Sequence, residues 1–312
     1  MELRNLGPSG LLVSTVGLGC NNFGGRIDLA ATKAVVHRAL DCGITLFDTS
    51  DSYGKEGGSE ITLGEALGAR RKDIVLASKF GSPMGAGDYM RGGSRRYMML
   101  AVEASLKRLK TDWIDLYQFH KPDPRTPLEE TLRGLDDLVR QGKVRYIGVS
   151  NHAAWQVVES RWISKSQGLA GFVSCQDEYS LLVRDIEQEL LPAMAAYGVG
   201  LLPYFPLASG LLTGKYKHGE AAPAGTRFAN GGNFLTRYWT DANWNKVVAL
   251  QAFAEKRGKT LLELAFSWLA CRPCVSSVIA GATKPEQIEA NIKAASWKLT
   301  AEEMKEIDAI TG

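Results

Sequence analysis

Tyrosine, lysine, aspartate and histidine form a proton-transfer set when they share one face, and this 312-residue chain sets them where successive apolar runs end. One run closes on Phe47-Asp48-Thr49-Ser50, and the loop after it carries Tyr53. The next run closes at Lys79, and the one after it at His120. Later runs end at Ser150-Asn151, Gln176, Tyr204 and Gly281. A phenol titrates near pH 10 when unperturbed, so alone it is a poor proton donor at neutrality. An ammonium close by stabilises the phenolate and lowers that pKa, and a carboxylate beside that ammonium keeps it charged. An imidazole can polarise a substrate oxygen, so the set suits proton transfer to a developing alkoxide. Taken singly, each residue also has a structural reading: Asp48 as a turn cap, Lys79 snorkelling, His120 a core histidine, Tyr53 a loop aromatic. Their joint placement favours a site.

The elements that must position them alternate in type. Apolar runs over 13–18, 45–47, 74–80, 114–119, 144–149, 172–175, 200–204 and 276–279 read as strands buried on both faces, the mark of a parallel sheet. Helical periodicity covers 29–40, 97–109, 127–139, 153–163, 187–197, 261–269 and 285–294. In the second of these, Leu100, Ala101, Ala104 and Leu109 form the expected core stripe. A turn at Gly7-Pro8-Ser9-Gly10 predicts a leading β-hairpin. Eight βα units predict an α/β fold, a (β/α)8 barrel of one domain over 1–312, with long loops at its carboxyl face where barrel sites lie. A doubly wound open sheet stays open as the alternative. The stretch 217–241 is rich in Gly, Asn and aromatics, and a loop that long is usually functional.

Composition narrows the class. A formal net charge of +3, with no Lys/Arg tail, argues against nucleic acid as a partner. No segment has the apolar length of a membrane span, and the opening residues do not resemble a secretory signal. Five irregularly spaced cysteines fit reduced thiols, so a cytoplasmic protein is expected. Scattered histidines without HxH or HExxH spacing predict no metal site. Gly17-Leu18-Gly19 hints at a dinucleotide fingerprint, but Asn22 stands where the third glycine belongs.

Gly43 to Gly54, GITLFDTSDSYG, resembles the first signature of the aldo-keto reductases. Ile114 to His120 is similar to that family's fourth strand and Lys143 to Asn151 to its fifth. Tyr204 to Tyr216 and Val278 to Asn291 resemble its cofactor segments, so the likeness runs in order over nearly the whole chain. It implies NADPH-dependent reduction of a small-molecule aldehyde or ketone, with Tyr53 as general acid among Asp48, Lys79 and His120. It further implies Ser150, Asn151 and Gln176 at the nicotinamide carboxamide, with Asp48 nearby and Tyr204 stacked on the ring. Pro206, Leu207, Ser209, Gly210 and Lys215 would take the pyrophosphate side. Gly281, Thr283, Lys284, Gln287 and Asn291 would take the adenosine and its 2′-phosphate, and Asn22 and Phe23 would meet substrate.

Two departures bear on the cofactor. Many relatives have arginine where this chain has Gln287, which leaves Lys284 and Arg227 to favour NADPH over NADH. Ala290 replaces a glutamate that would meet adenine. The short stretch after Leu299 predicts a pocket shaped by 21–23, 81–96 and 217–241, with Phe228, Phe234, Tyr238 and Trp239 as walls or as anchors of their own loop. Two other functions remain: a slow, redox-sensing regulatory subunit, like the channel-associated β subunits of this fold, and a lyase using Lys79 as a Schiff-base nucleophile.

Overall fold

The computed structural model describes residues 1–230 and 233–312, and for 230 and 233–235 the backbone alone. Two short strands, β1 (Leu3–Asn5) and β2 (Leu12–Ser14), pair antiparallel with Leu3 opposite Ser14. Their turn needs Gly7, whose φ is +55° and whose Cβ would fall 2.1 Å from the Val173 carbonyl oxygen. The hairpin inserts Leu6 and Val13 among Leu46, Ala77, Leu116, Leu202 and Ile279. It plugs the barrel floor.

Eight parallel strands follow: β3 (Val16–Gly19), β4 (Leu46–Asp48), β5 (Val75–Phe80), β6 (Ile114–Phe119), β7 (Val144–Ser150), β8 (Ser174–Gln176), β9 (Gly200–Leu201) and β10 (Val278–Gly281). They pair in the order β10-β3-β4-β5-β6-β7-β8-β9. The two ends meet where Leu201 N–H donates to the Cys274 carbonyl (2.8 Å) and Ser276 N–H to the Leu201 carbonyl (2.9 Å). That closure excludes an open sheet and makes the (β/α)8 barrel.

Helices α1 (Leu29–Asp41), α2 (Gly58–Leu67), α3 (Arg95–Leu109), α4 (Leu128–Arg140), α5 (Ala154–Gln167), α6 (Leu190–Tyr197), α7 (Asn233–Tyr238), α8 (Asp241–Glu255), α9 (Leu261–Ala270), α10 (Pro285–Ala294) and α11 (Ala301–Thr311) complete the chain. No helix among the described residues is long and apolar enough to cross a membrane.

Four sequence expectations change. The run 13–18 splits at Thr15, because Val13 belongs to the plug and Val16 to the barrel. Periodicity missed α2, α8 and α11. In α2 the glycines dilute the pattern, yet Gly64 lets this helix lie on α3, where a Cβ would sit 2.8 Å from the Arg108 carbonyl oxygen. On α3 the buried face runs through Tyr97, Met98, Ala101, Val102, Ser105, Leu106 and Leu109, and Leu100 is 51% exposed. Finally, 217–241 is not irregular throughout: it holds a single helical turn at Phe228–Asn230 and then α7.

The aromatics of that insertion anchor it. Tyr216, Phe228, Trp239 and Trp244 stack edge-to-face, with ring centroids 5.1 Å apart for Tyr216–Phe228 and 5.0 Å for Trp239–Trp244. Phe228 and Tyr238 are buried. Aromatic pairs of this kind contribute roughly 0.5–1.5 kcal/mol beyond their burial. Phe234 lies outside the described side chains.

Candidate active site

The carboxyl ends of β4, β5 and β6 bring Asp48, Lys79 and His120 together, and the loop after β4 folds Tyr53 back over them. Lys79 is wholly buried, and its Nζ donates to Asp48 Oδ2 (2.6 Å), to the Thr49 carbonyl (3.0 Å) and to Tyr53 Oη (3.2 Å). Asp48 Oδ1 accepts from the side-chain amides of Gln118 (3.1 Å) and Gln176 (2.8 Å). Both carboxylate oxygens are therefore satisfied, as a buried ion requires. Burial opposes the charge on Lys79, but Asp48 and Tyr53 outweigh it and hold its pKa above the ordinary value.

Tyr53 departs from the sequence-based expectation. Burial raises its pKa, and the neighbouring Lys79 offsets only part of that rise. The phenol keeps its proton, and the ammonium stands ready for the phenolate left when that proton is given up. The His120 ring lies edge-on to Tyr53 at 5.8 Å between centroids. Burial, Lys79 and then Lys121 lower its pKa to about 3, so the imidazole is neutral at physiological pH.

At the ends of β7 and β8, Ser150 Oγ donates to the Gln176 carbonyl at 2.7 Å. Asn151 sits in the left-handed region with φ +61°, a strained position for a non-glycine residue. Three contacts hold it there: its amide donates to the His120 carbonyl (3.1 Å) and to Ser150 Oγ (2.9 Å), and Tyr204 Oη donates to its carbonyl oxygen (2.8 Å). Strain maintained this way is characteristic of a functional site.

A cavity of about 700 Å³ opens from these groups across the barrel mouth. Asp48, Tyr53, His120, Ser150, Asn151, Gln176 and Tyr204 line one end. Pro206, Leu207, Ser209, Gly210, Lys215, Arg227, Gly281, Thr283, Lys284 and Gln287 line the remainder. Backbone φ is positive at Phe205, Ala208, Ser209 and Gly210, which turns this loop sharply. Ser209 Oγ is buried there without a hydrogen-bond partner. A buried hydroxyl left unsatisfied on a cavity that Lys215, Arg227 and Lys284 also line fits a phosphate-bearing dinucleotide. At the far end Gln287 Oε1 accepts from the Thr283 (2.7 Å) and Lys284 (3.2 Å) backbone N–H groups, capping α10.

Other expected contacts fall elsewhere. Phe23, expected at the substrate, is wholly buried in the core because its loop turns inward at Cys20. Asn291 is buried on α10 and does not line the cavity. Phe228, Tyr238 and Trp239 do not line it, nor does any residue of 81–96. The sequence reading missed Arg26, Lys121 and Cys20, which do line it, and Gln118, which braces Asp48. A cation on a loop carries no periodic signal. Gln118, one residue inside the end of β6, was the legible one, because a lone amide in an apolar strand needs a partner.

The carboxyl face of the barrel thus joins a buried lysine–carboxylate pair to a phenol and an imidazole. The chain matches the aldo/keto reductase family over residues 15–311. It is 40% identical over 303 residues to a probable voltage-gated potassium channel subunit beta of Arabidopsis thaliana, spanning 94% of this chain and 91% of that one. It is 34% identical over 320 residues to the L-glyceraldehyde 3-phosphate reductase of Escherichia coli K12, spanning 99% and 92%. The uncharacterized oxidoreductase YrpG of Bacillus subtilis is 36% identical over 324 residues, spanning 99% and 96%. The chain is a member of the aldo/keto reductase family and an oxidoreductase.

Proposed function

We propose that this protein reduces aldehydes or ketones to alcohols with NADPH, with Tyr53 as the general acid. The Lys79 ammonium, held between Asp48 at 2.6 Å and Tyr53 Oη at 3.2 Å, carries this reading. When bound, the reduced nicotinamide supplies the hydride. Asn151, Ser150 and Gln176 orient the carboxamide, and Tyr204 supports the ring. His120 donates a hydrogen bond to the carbonyl oxygen, and Tyr53 gives it a proton as negative charge develops. Lys79 stabilises the phenolate left behind, and Asp48 keeps Lys79 charged. Oxidation of NADPH followed against a panel of carbonyl compounds tests the proposal, and no turnover with any of them would overturn it. The likeness to proteins named as potassium channel subunits favours a second reading, a slow redox-responsive subunit. Tight NADPH binding with negligible turnover would select it.

NADPH is expected to bind about tenfold more tightly than NADH, the 1.4 kcal/mol of one modest charge-assisted contact. Lys284 and Arg227 supply the positive charge. Fluorescence titration with both cofactors measures this, and equal dissociation constants would refute it.

The substrate end bears on specificity. Phe228, Tyr238 and Trp239 pack into the protein, and Lys121 follows His120, while Asn21, Asn22 and Arg26 line the same cavity. Small polar or anionic carbonyl compounds should therefore show higher kcat/KM than apolar aromatic aldehydes, which gain little from a polar rim. A reversed ranking would show that apolar surface outside this cavity shapes the pocket.

A further inference from the structure

Behind His120, away from the cavity, lies a buried pair of carboxylates that the mechanism above does not use. Asp51 follows β4 and is 1% exposed, and Glu60 of α2 is fully buried. They are not equivalent. Glu60 has a cation and a hydroxyl: Arg108 Nε donates to Oε2 at 2.7 Å and Ser78 Oγ to Oε1 at 2.5 Å. Asp51 has no cation of its own: Ser50 Oγ donates to Oδ1 at 3.1 Å, the Ser52 N–H and the Tyr97 hydroxyl lie against the carboxyl, and Oδ2 makes no close hydrogen bond.

Ser50 is the link to the site. Its Oγ lies 3.3 Å from His120 Nδ1, and Ser82 Oγ lies 3.1 Å from the same nitrogen. Ser50 Oγ also meets Ser52 Oγ at 3.0 Å and accepts from the Ser52 N–H at 3.3 Å. When it serves this chain, its one proton points either to Asp51 or to the ring, which couples the carboxyl to the ring. We propose that Asp51 is a positioning residue that sets the tautomer of His120 through Ser50, and with it which partner the ring offers the substrate.

With Asp51 protonated, its O–H donates to Ser50 Oγ, and Ser50 donates to Nδ1. The remaining ring proton is then on Nε2, which is a donor suited to a carbonyl oxygen. With Asp51 ionised, Ser50 donates to Oδ1, and Nδ1–H donates to the oxygens of Ser50 and Ser82. Nε2 is then bare, an acceptor suited to the hydroxyl of an alcohol. The two states differ by one proton. Asp51 passes its proton to Ser50, Ser50 passes its own to Nδ1, and Nε2 releases one to the cavity; the ring is neutral in both states. The inference rests on the reading that His120 meets the substrate oxygen, but the tautomer itself can be read without any substrate.

The groups facing Asp51 make it the one that titrates. Glu60 of α2 repels its charge, Arg108 of α3 is already engaged with Glu60, and Tyr97 of α3 and Tyr117 of β6 are uncharged. The Asp51 N–H donates to the Lys79 carbonyl of β5, at 3.2 Å, and the Ser52 N–H also favours the ionised form. Burial, and then Glu60, push the carboxyl up to about 7, which places the exchange within the physiological range.

The test is NMR of the full chain, isotope-labelled at the histidine ring nitrogens, from about pH 6 to about pH 8.5. The His120 signals, assigned by their loss in His120→Asn, should change from the Nε2–H to the Nδ1–H pattern, inverting a tautomer ratio of roughly tenfold. In Asp51→Asn the amide donates permanently to Ser50, so Nε2–H should persist at every pH. Ser50→Ala should abolish the response as well, and serves if Asp51→Asn does not fold. A wild-type ring that keeps one tautomer throughout would overturn the proposal, as would an Asp51→Asn ring that still switches. A switching ring in a chain that turns over no carbonyl would leave it standing and sink only the reductase reading.

Discussion

Tyr53→Phe is expected to lower kcat by roughly 10²–10⁴-fold, the usual contribution of general acid catalysis. The substitution removes one oxygen and leaves the ring, the Lys79–Asp48 pair and the cavity in place. NADPH affinity should change little, because the phenol acts on charge that develops only in the transition state. His120→Asn combined with Tyr53→Phe should cost scarcely more than the worse single change, since both groups serve the same oxygen. Steady-state kinetics on the singles and the double, with cofactor binding measured separately, decides it. Near-normal turnover in Tyr53→Phe would show that another group supplies the proton.

The largest effect on stability should come from Lys79→Met. Lys79 and Asp48 are both buried, and their contact of 2.6 Å is the shortest polar link in the site. Removing the cation leaves a carboxylate out of water with only the amides of Gln118 and Gln176 to solvate it. Breaking a buried pair from one side costs about 3–5 kcal/mol, whereas replacing both partners by apolar groups is often close to neutral. Lys79→Met should therefore unfold at clearly lower denaturant, and Asp48→Leu/Lys79→Met should recover most of the loss. Chemical denaturation of the two variants checks this. A double variant no better than the single would mean that the pair is held by packing, not by its charges.

Residue type and order determined a great deal here. Parallel strands covered on both faces are mostly apolar along their length, so a polar residue at the end of each successive strand stands out as a pattern. That is why Asp48, Lys79, His120, Ser150, Asn151, Gln176 and Tyr204 stood out as a set of strand ends without any coordinates. The number of alternating units pointed to a barrel for the same reason. Pattern alone could not close it, because closure rests on backbone hydrogen bonds, between Leu201 and 274–276 and from the Ile279 N–H to the Pro203 carbonyl, that carry no side-chain signature.

Tertiary structure decided the rest, and in each case the cause is direction or distance. An aromatic loop residue packs well against either a ligand or its own anchor, and only the fold turned Phe23, Phe228 and Tyr238 inward. The sign of Lys79's effect on Tyr53 follows from charge alone, but burial is a property of the folded surroundings, and it wins. Asp51 and Glu60 are ordinary loop and helix acids in the sequence. The return of α2 and α3 beneath the β4 loop is what makes them neighbours, gives Arg108 to one of them, and leaves the other facing His120 through a single hydroxyl.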